Sequence, residues 1–194
     1  MPIEIVDYDP RWPLEFEDLH SKLAGALGEV ARRIDHIGST SVPGLAAKNV
    51  LDVQITVLDL EHPRLKPALE GLGLELRPQR LHDHTPPGRV LPEHELEKRM
   101  AVAPAPQRRA HVHLRLEGRF NTRYALLCRD YLRTRFEAAA AYAEIKRQLA
   151  RLHPDDADAY YAVKDPVFDL LMAGAEDWAR TVGWTLERAG EGAS

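Results

Sequence analysis

Residues 36–48 read HIGSTSVPGLAAK, and residues 50–57 follow almost directly as VLDVQITV. In the second segment apolar and polar residues alternate, so that Asp52, Gln54 and Thr56 share one face and apolar side chains the other. This alternation predicts a β-strand with one polar face. An acid on such an apolar, β-branched strand is costly unless it meets a partner, a metal or water. Asp52 is therefore a candidate functional carboxylate.

The segment before this strand has the composition of a phosphate-binding turn. Glycine lets backbone N–H groups approach a ligand, hydroxyls donate hydrogen bonds, and a lysine neutralises phosphate charge. The candidate phosphate-binding residues are Gly38, Ser39, Thr40, Ser41 and Lys48. A surface turn punctuated by Gly and Pro is the alternative interpretation of the same residues. The strand that carries Asp52 favours the functional interpretation.

A second strand with a polar face is predicted at residues 111–116, where apolar and polar residues again alternate. His111 and His113 share its polar face, and both are candidate metal ligands. Histidines in alternate positions are also common as ordinary hydrogen-bonding residues. Both interpretations of this pair stay open at the level of sequence.

The first half of the chain also predicts helices and one long irregular region. Apolar residues three and four apart indicate an amphipathic helix over residues 14–34 that starts near Trp12. Residues 65–72 predict a short helix and residues 74–77 a short strand. Residues 78–106, rich in Pro and His, predict loops.

After residue 118 the periodicity is helical. Asn121 is the predicted N-cap of a long helix that runs through Tyr131 towards Leu152. Asp165 and Pro166 predict the start of a final helix. Strands mixed with helices and then a half made only of helices indicate an α/β core covered by a helical layer.

Composition narrows the classes of function. The chain has 194 residues and a formal net charge of −4, with 30 acidic and 26 basic side chains, which disfavours bulk nucleic-acid binding. Cys128 is the only cysteine, so an intrachain disulfide is excluded, and a buried structural thiol is expected. Charges interrupt every apolar run, and the start lacks the pattern of a secretory signal. A cytoplasmic protein without a membrane span is expected.

The run from His36 to Lys48 resembles the hallmark of the GrpB family, whose members are also described as predicted nucleotidyltransferases. The resemblance extends over nearly the whole chain, and further similar stretches are residues 9–12, 111–113, 125–133, 161–164 and 175–178, with Tyr142 and Lys146. It implies an α/β (α+β) fold with a nucleotidyltransferase-like mixed sheet and a C-terminal helical layer. One domain over residues 1–188 is expected, with a core at 1–118, a helical portion at 119–188 and a flexible tail at 189–194.

The resemblance also implies roles for particular residues. In the wider superfamily a Gly-Ser turn holds nucleotide phosphates, and two acids one residue apart on the next strand bind divalent metals. Asp52 matches the first acid, but Gln54 stands at the position of the second and brings no charge. A mixed site of Asp52, His111 and His113 would favour Mn²⁺ or Zn²⁺ over Mg²⁺. Asp52 and His113 are the implied catalytic residues.

Further basic residues are candidates for an anion site. Arg129 and Arg133 lie one helical turn apart and, with Lys48, are predicted to bind phosphate, although solvated salt bridges are the alternative. Lys98 and Arg99 are further candidates for the same anion site. Tyr142, Lys146 and Lys164 have a secondary place in the same cleft. Two functions follow. One is an enzyme that binds a nucleotide or another phosphorylated small molecule, with nucleotidyl transfer as its reaction. The other is an accessory module for protein folding or regulation, because similar domains are fused behind dephospho-CoA kinases.

Overall fold

The structure is a computed structural model that describes residues 2–79, 81–104 and 106–187. The strands in these ranges form one mixed sheet and are β1 (Arg33–Ile37), β2 (Leu51–Val57), β3 (Glu75–Leu76), β4 (Lys98–Ala103) and β5 (Ala110–Leu116). Their spatial order is β1-β2-β5-β4-β3. β2 and β5 are parallel, and the other neighbouring pairs are antiparallel. The predicted tail at 189–194 lies outside the described residues.

Helices cover both faces of this sheet. The helices are α1 (Trp12–Leu27), α2 (Leu65–Gly71), α3 (Phe120–Thr134), α4 (Phe136–Leu152) and α5 (Ala157–Val182). α1 and α2 pack on the apolar face of the sheet, where Val53 and Val112 join Leu23 and Leu69 in the largest core cluster. α3, α4 and α5 form the layer over the polar face. None of the described helices has the length and apolar character needed to cross a bilayer.

The predicted α+β architecture is confirmed, but several boundaries differ. α1 ends at Leu27 because Gly28 takes a positive φ of 54°, and Ile34 belongs to β1 instead of the helix. The region predicted as loops contains β4, which pairs with β5 along its whole length. Its apolar residues alternate too briefly, between Pro-rich flanks, for the pattern to be recognised.

Two predicted helix starts are wrong. Asn121 lies inside α3, and its buried amide donates to Asp83 Oδ2 at 3.1 Å and to the Glu97 carbonyl at 3.0 Å. α5 begins at Ala157, capped by Asp156, whose carboxylate accepts from the Ala159 N–H at 2.9 Å. Pro166 therefore lies within α5, and the Asp-Pro pair does not begin it. The long helix predicted after residue 121 is divided at Arg135 into α3 and α4.

Candidate functional site

The polar face of the sheet forms the floor of a cleft of about 460 Å³. Parallel pairing of β2 with β5 sets Asp52 beside His111, Gln54 beside His113 and Thr56 beside Arg115. The helical layer supplies the walls. The residues from this layer that line the cleft include Phe120, Tyr124, Lys146, Tyr160, Tyr161 and Lys164. Side chains distant in sequence thus converge because the two strands present the same face to the helices.

Asp52 lies at the centre of this floor. Its Oδ1 is 3.3 Å from His111 Nδ1 and 3.7 Å from His113 Nε2, and 31% of its side chain is exposed. Burial disfavours the ionised carboxyl, but the two imidazoles outweigh it and hold the pKa of Asp52 well below its usual range. The structure therefore brings together the three residues that the sequence grouped as the metal and catalytic candidates.

Position 38 of the turn requires a glycine. Its φ is +69°, and a Cβ added there would lie 2.8 Å from Asp52 Cβ, with Asp52 Oδ2 closer still. A side chain would meet both a strained backbone and a steric clash. The glycine of the turn therefore allows Asp52 to pack directly beneath it.

Two histidines near Asp52, His36 and His113, have pKa values below the ordinary value. Burial lowers the pKa of His113, helped by the Arg115 cation and opposed by Asp52, and its Nδ1 has no hydrogen-bond partner among the described residues. Burial, reinforced by the Arg133 cation, lowers the pKa of His36 to about 4. His36 Nε2 lies 2.9 Å from Thr40 Oγ1. His113 is thus a neutral imidazole beside Asp52, whereas His36 holds the turn.

Only part of the predicted phosphate-binding set lines the cleft. Gly38, Ser39 and Thr40 do, together with Lys48. The ammonium of Lys48 donates to the Tyr161 hydroxyl at 3.0 Å and lies 4.3 Å and 4.4 Å from the ring centres of Tyr160 and Tyr161. Lys48 is therefore held at the rim of the cleft by aromatic contacts.

Ser41, Arg129 and Arg133 lie behind the turn, contrary to the prediction that they face a phosphate. The Ser41 hydroxyl donates to the Gly38 carbonyl at 2.6 Å, and Arg133 donates to the Ser41 carbonyl through Nε at 3.0 Å and Nη2 at 2.9 Å. Arg129 donates to the His36 carbonyl at 3.1 Å and to Asp130 at 2.7 Å. Arg129 and Arg133 therefore brace the turn from α3, and Ser41 closes it from within.

Lys146 is the functional candidate that sequence reasoning underrated. It is 2% exposed, and its Nζ donates to the Ala46 carbonyl at 2.5 Å and lies 2.8 Å from Ser39 Oγ. Burial, with Lys164 and Arg147 as neighbouring cations, lowers the pKa of Lys146 to about 7. The sequence did contain a signal for this burial, namely the periodicity of α4. Lys146 falls on the buried stripe of α4, whose members are Ala139, Tyr142, Ala143, Leu149 and Ala150.

The position of the missing second acid is taken by a buried polar network. Gln54 Oε1 accepts from Arg115 Nη1 at 2.6 Å, and Gln54 Nε2 donates to the Thr122 carbonyl at 3.2 Å. Arg115 also binds Asp83, which Lys98 contacts as well. Burial opposes the charge on Asp83, yet the Arg115 and Lys98 cations hold its pKa far below the usual range. Arg99, predicted as part of the anion site, instead pairs with Glu61 and does not line the cleft.

This network bears on the metal prediction. Because the amide of Gln54 is committed to Arg115 and Thr122, it offers no oxygen to a second ion, and a two-metal centre does not fit. Within the described ranges, no group of three or more His, Cys, Asp or Glu side chains is placed to hold a metal ion. A single metal at Asp52 stays a prediction, and no chemical step below passes through one.

Comparison with known proteins gives the family context. The model of the family described as GrpB protein matches residues 2–173. A dephospho-CoA kinase of Mycolicibacterium paratuberculosis is 35% identical in an alignment of 201 positions that covers 94% of this chain and 48% of the relative. A UPF0157 protein of Pseudomonas aeruginosa is 34% identical in an alignment of 178 positions that covers 89% of this chain and 67% of the relative. The chain thus spans about half the length of the dephospho-CoA kinases that it matches.

Solved structures agree with this context. The conserved protein GrpB from Enterococcus faecalis superposes with a TM-score of 0.70 at 27% identity, covering 90% of this chain and 99% of that one. The GLD-2/RNP-8 complex gives a TM-score of 0.55 at 12% identity, covering 96% of this chain and 69% of that one, a likeness of fold alone. The fold is therefore nucleotidyltransferase-like, as predicted.

Proposed function

This chain belongs to the GrpB family, and we propose that its cleft binds a nucleotide or another phosphorylated small molecule. The charge of the cleft carries this proposal. Its lining holds five basic side chains, Lys48, Lys98, Arg115, Lys146 and Lys164, against three acids, Asp52, Asp83 and Asp165. The whole chain has a net charge of −4, so the positive excess is concentrated where a ligand would enter. An anionic ligand complements such a cleft.

Aromatic side chains on one wall support a nucleotide in particular. The rings that line the cleft are Phe120, Tyr124, Tyr160, Tyr161 and Phe168. A planar base stacks favourably on such rings, typically with about 1–3 kcal/mol per base. We place the phosphates beside the turn at Gly38 and Ser39, next to Lys48 and Lys146, and the base against Tyr161, whose side chain is exposed.

Asp52 and His113 are the proposed reacting groups for nucleotidyl transfer. His113 presents a buried neutral imidazole beside the Asp52 carboxylate, at 3.7 Å between Nε2 and Oδ1. A neutral imidazole can take the proton of an attacking hydroxyl, and the carboxylate stabilises the cation that forms. In this proposal Arg115 supplies fixed positive charge on the floor of the cleft.

A thermal-shift screen tests the binding proposal. Nucleotides, coenzyme A precursors and phosphosugars are added with and without Mg²⁺, Mn²⁺ or Zn²⁺. A ligand at 100 times its dissociation constant should raise the free energy of unfolding by about 2.7 kcal/mol. Lys48→Ala should weaken the shift without lowering the melting temperature of the free protein, whereas Lys66→Ala, on α2 outside the cleft, should not weaken it. The proposal fails if no phosphorylated compound shifts the wild type.

A second candidate function is an accessory module that helps a dephospho-CoA kinase to fold or be regulated. The observation that favours it is the naming of several relatives as dephospho-CoA kinases, of which this chain spans about half. The test is refolding of a denatured dephospho-CoA kinase with and without this chain in equimolar amount. Accessory function predicts a higher yield of active kinase, unchanged by Asp52→Asn. A yield equal to that with an unrelated protein would exclude it.

A further inference from the structure

Ser39 and Lys146 come together from distant parts of the chain. Binding of a phosphorylated ligand does not by itself require a contact between these two side chains. Ser39 lies in the turn after β1, and Lys146 lies on α4, 107 positions later. Lys146 Nζ is 2.8 Å from Ser39 Oγ, and both residues line the cleft. The hydroxyl is therefore in reach both of the amine and of a ligand.

The surroundings of Lys146 disfavour the ammonium form. The residue is 2% exposed, and among residues 2–79, 81–104 and 106–187 no carboxylate forms an ion pair with it. The charged groups that act on it are Lys164 from α5, Arg147 from α4 and Asp52 from β2, and its Nζ lies 4.5 Å from the ring centre of Tyr142. Two of these three charges are positive. Above neutral pH the amine has a lone pair.

A neutral Lys146 amine can present its lone pair to the Ser39 hydroxyl, 2.8 Å away. A neutral amine has two N–H donors and one acceptor site. One N–H is directed to the Ala46 carbonyl, at 2.5 Å from Nζ. The Ser39 hydroxyl can then donate its proton to the nitrogen, the arrangement of a nucleophile with an adjacent base.

We propose that Ser39 is a nucleophile, that Lys146 is its general base, and that the pair attacks the phosphorus of a phosphorylated ligand. The Ser39 Oγ–phosphorus bond forms, the bond from phosphorus to its leaving oxygen breaks, and the hydroxyl proton moves to Lys146 Nζ. The leaving group departs with the electron pair of the broken bond. The proposal rests on the proposed function for the ligand class, but the reactivity of the pair is testable without any natural ligand.

The test is covalent labelling with a small fluorophosphonate, read by intact mass and peptide mapping. Oγ displaces fluoride from phosphorus, so one adduct on Ser39 is expected, and its rate of formation should rise as the pH passes through about 7. Ser39→Ala should lose the adduct, whereas Ser21→Ala, at an exposed position on α1, should keep it.

Variants at Lys146 separate a base from a mere hydrogen-bond partner. Lys146→Arg keeps a donor but stays protonated at these pH values, so labelling should fall by roughly 100-fold or more. Lys66→Arg is the matched control and should label like the wild type. The proposal is overturned if Ser39 stays unmodified while the probe labels a serine hydrolase in parallel, or if folded Lys146→Arg labels at the wild-type rate. Should Lys146→Arg fail to fold, a flat rate from pH 6 to pH 9 in the wild type overturns it. A nucleotide-induced thermal shift without labelling would leave the binding proposal standing.

Discussion

Gly38 and Gly44 separate backbone strain from steric clash in the same loop. Both have a positive φ, of 69° and 77°, but only at Gly38 would an added Cβ meet another residue, Asp52. Gly44→Ala should therefore lower the free energy of unfolding by about 1–2 kcal/mol from strain alone. Gly38→Ala should add roughly 1–3 kcal/mol for the clash. Urea denaturation of both variants measures the difference, and equal losses would contradict the close packing of Gly38 on Asp52.

His36 links stability to pH. Its pKa is lowered to about 4 in the folded chain, so the unfolded chain binds the proton more readily between that value and the ordinary one near 6.5. Neutral His36 contributes fully to the free energy of unfolding above about pH 6.5, and this contribution is lost as the pH falls. At pH 5 the loss is roughly 2 kcal/mol. His36→Gln should reduce the difference in unfolding free energy between pH 7 and pH 5 by this amount. His94→Gln, on an exposed turn, is the control, and an equal pH dependence in His36→Gln and the wild type would refute the assignment.

Asp52 is also the principal ligand of the predicted metal site. One carboxylate with imidazoles suits borderline metals better than Mg²⁺, which requires an octahedral oxygen shell. We expect calorimetric titration to show tighter binding of Mn²⁺ or Zn²⁺ than of Mg²⁺ and to show that Asp52→Asn abolishes it. Asp59→Asn, outside the cleft, is the control. Equal binding by wild type and Asp52→Asn, or none by either, removes the metal from the account.

At the scale of elements, α3 fixes the turn to the sheet. Arg129 is 4% exposed and reaches the His36 carbonyl, Asp35 and Asp130. Arg129→Met would leave buried acceptors unsatisfied, so a loss of about 3–5 kcal/mol in unfolding free energy is expected by chemical denaturation. Arg32→Met, whose pair with Glu117 is half exposed at 3.9 Å, should cost under about 1 kcal/mol. Similar losses for the two variants would contradict the bracing role of Arg129.

The sequence correctly predicted those strands and helices in which one face is buried, because burial of one face gives the apolar residues a regular spacing. β2 and β5 alternate because one face packs on α1 and α2 and the other faces the cleft, so Asp52, His111 and His113 could be grouped in advance. β4 could not be, since its short alternation lies between Pro-rich segments. Pro166 was assigned to a helix start because Pro favours the first turn, yet the remainder of α5 tolerates it inside.

Which cation faces the cleft was not predictable from the sequence. Arg129, Arg133 and Lys146 all lie on amphipathic helices, and only tertiary packing directs the arginines behind the turn and the lysine into the cleft. Likewise, Gln54 signals a missing acid, but its partner Arg115 is known only once β2 and β5 are paired. Long-range pairings of this kind carry no local sequence signal.

At the scale of the whole molecule, the central claim is that the cleft over the polar face of the sheet receives a phosphorylated ligand. A second concavity competes with it, a more open groove of about 730 Å³ beside α2 and β3 that includes Lys66, Arg77 and Arg99. Both places contain basic side chains. The cleft adds the glycine turn, the buried lysine and the aromatic wall.

The most direct measurement is mapping of amide chemical shifts in the ¹⁵N-labelled protein during titration with the nucleotide that gives the largest thermal shift. The account predicts perturbations at Gly38, Ser39 and Thr40 and along the start of α5 near Tyr160 and Tyr161, with the groove at Lys66 to Leu76 unaffected. Perturbations confined to that groove, or none at saturating nucleotide, would contradict it.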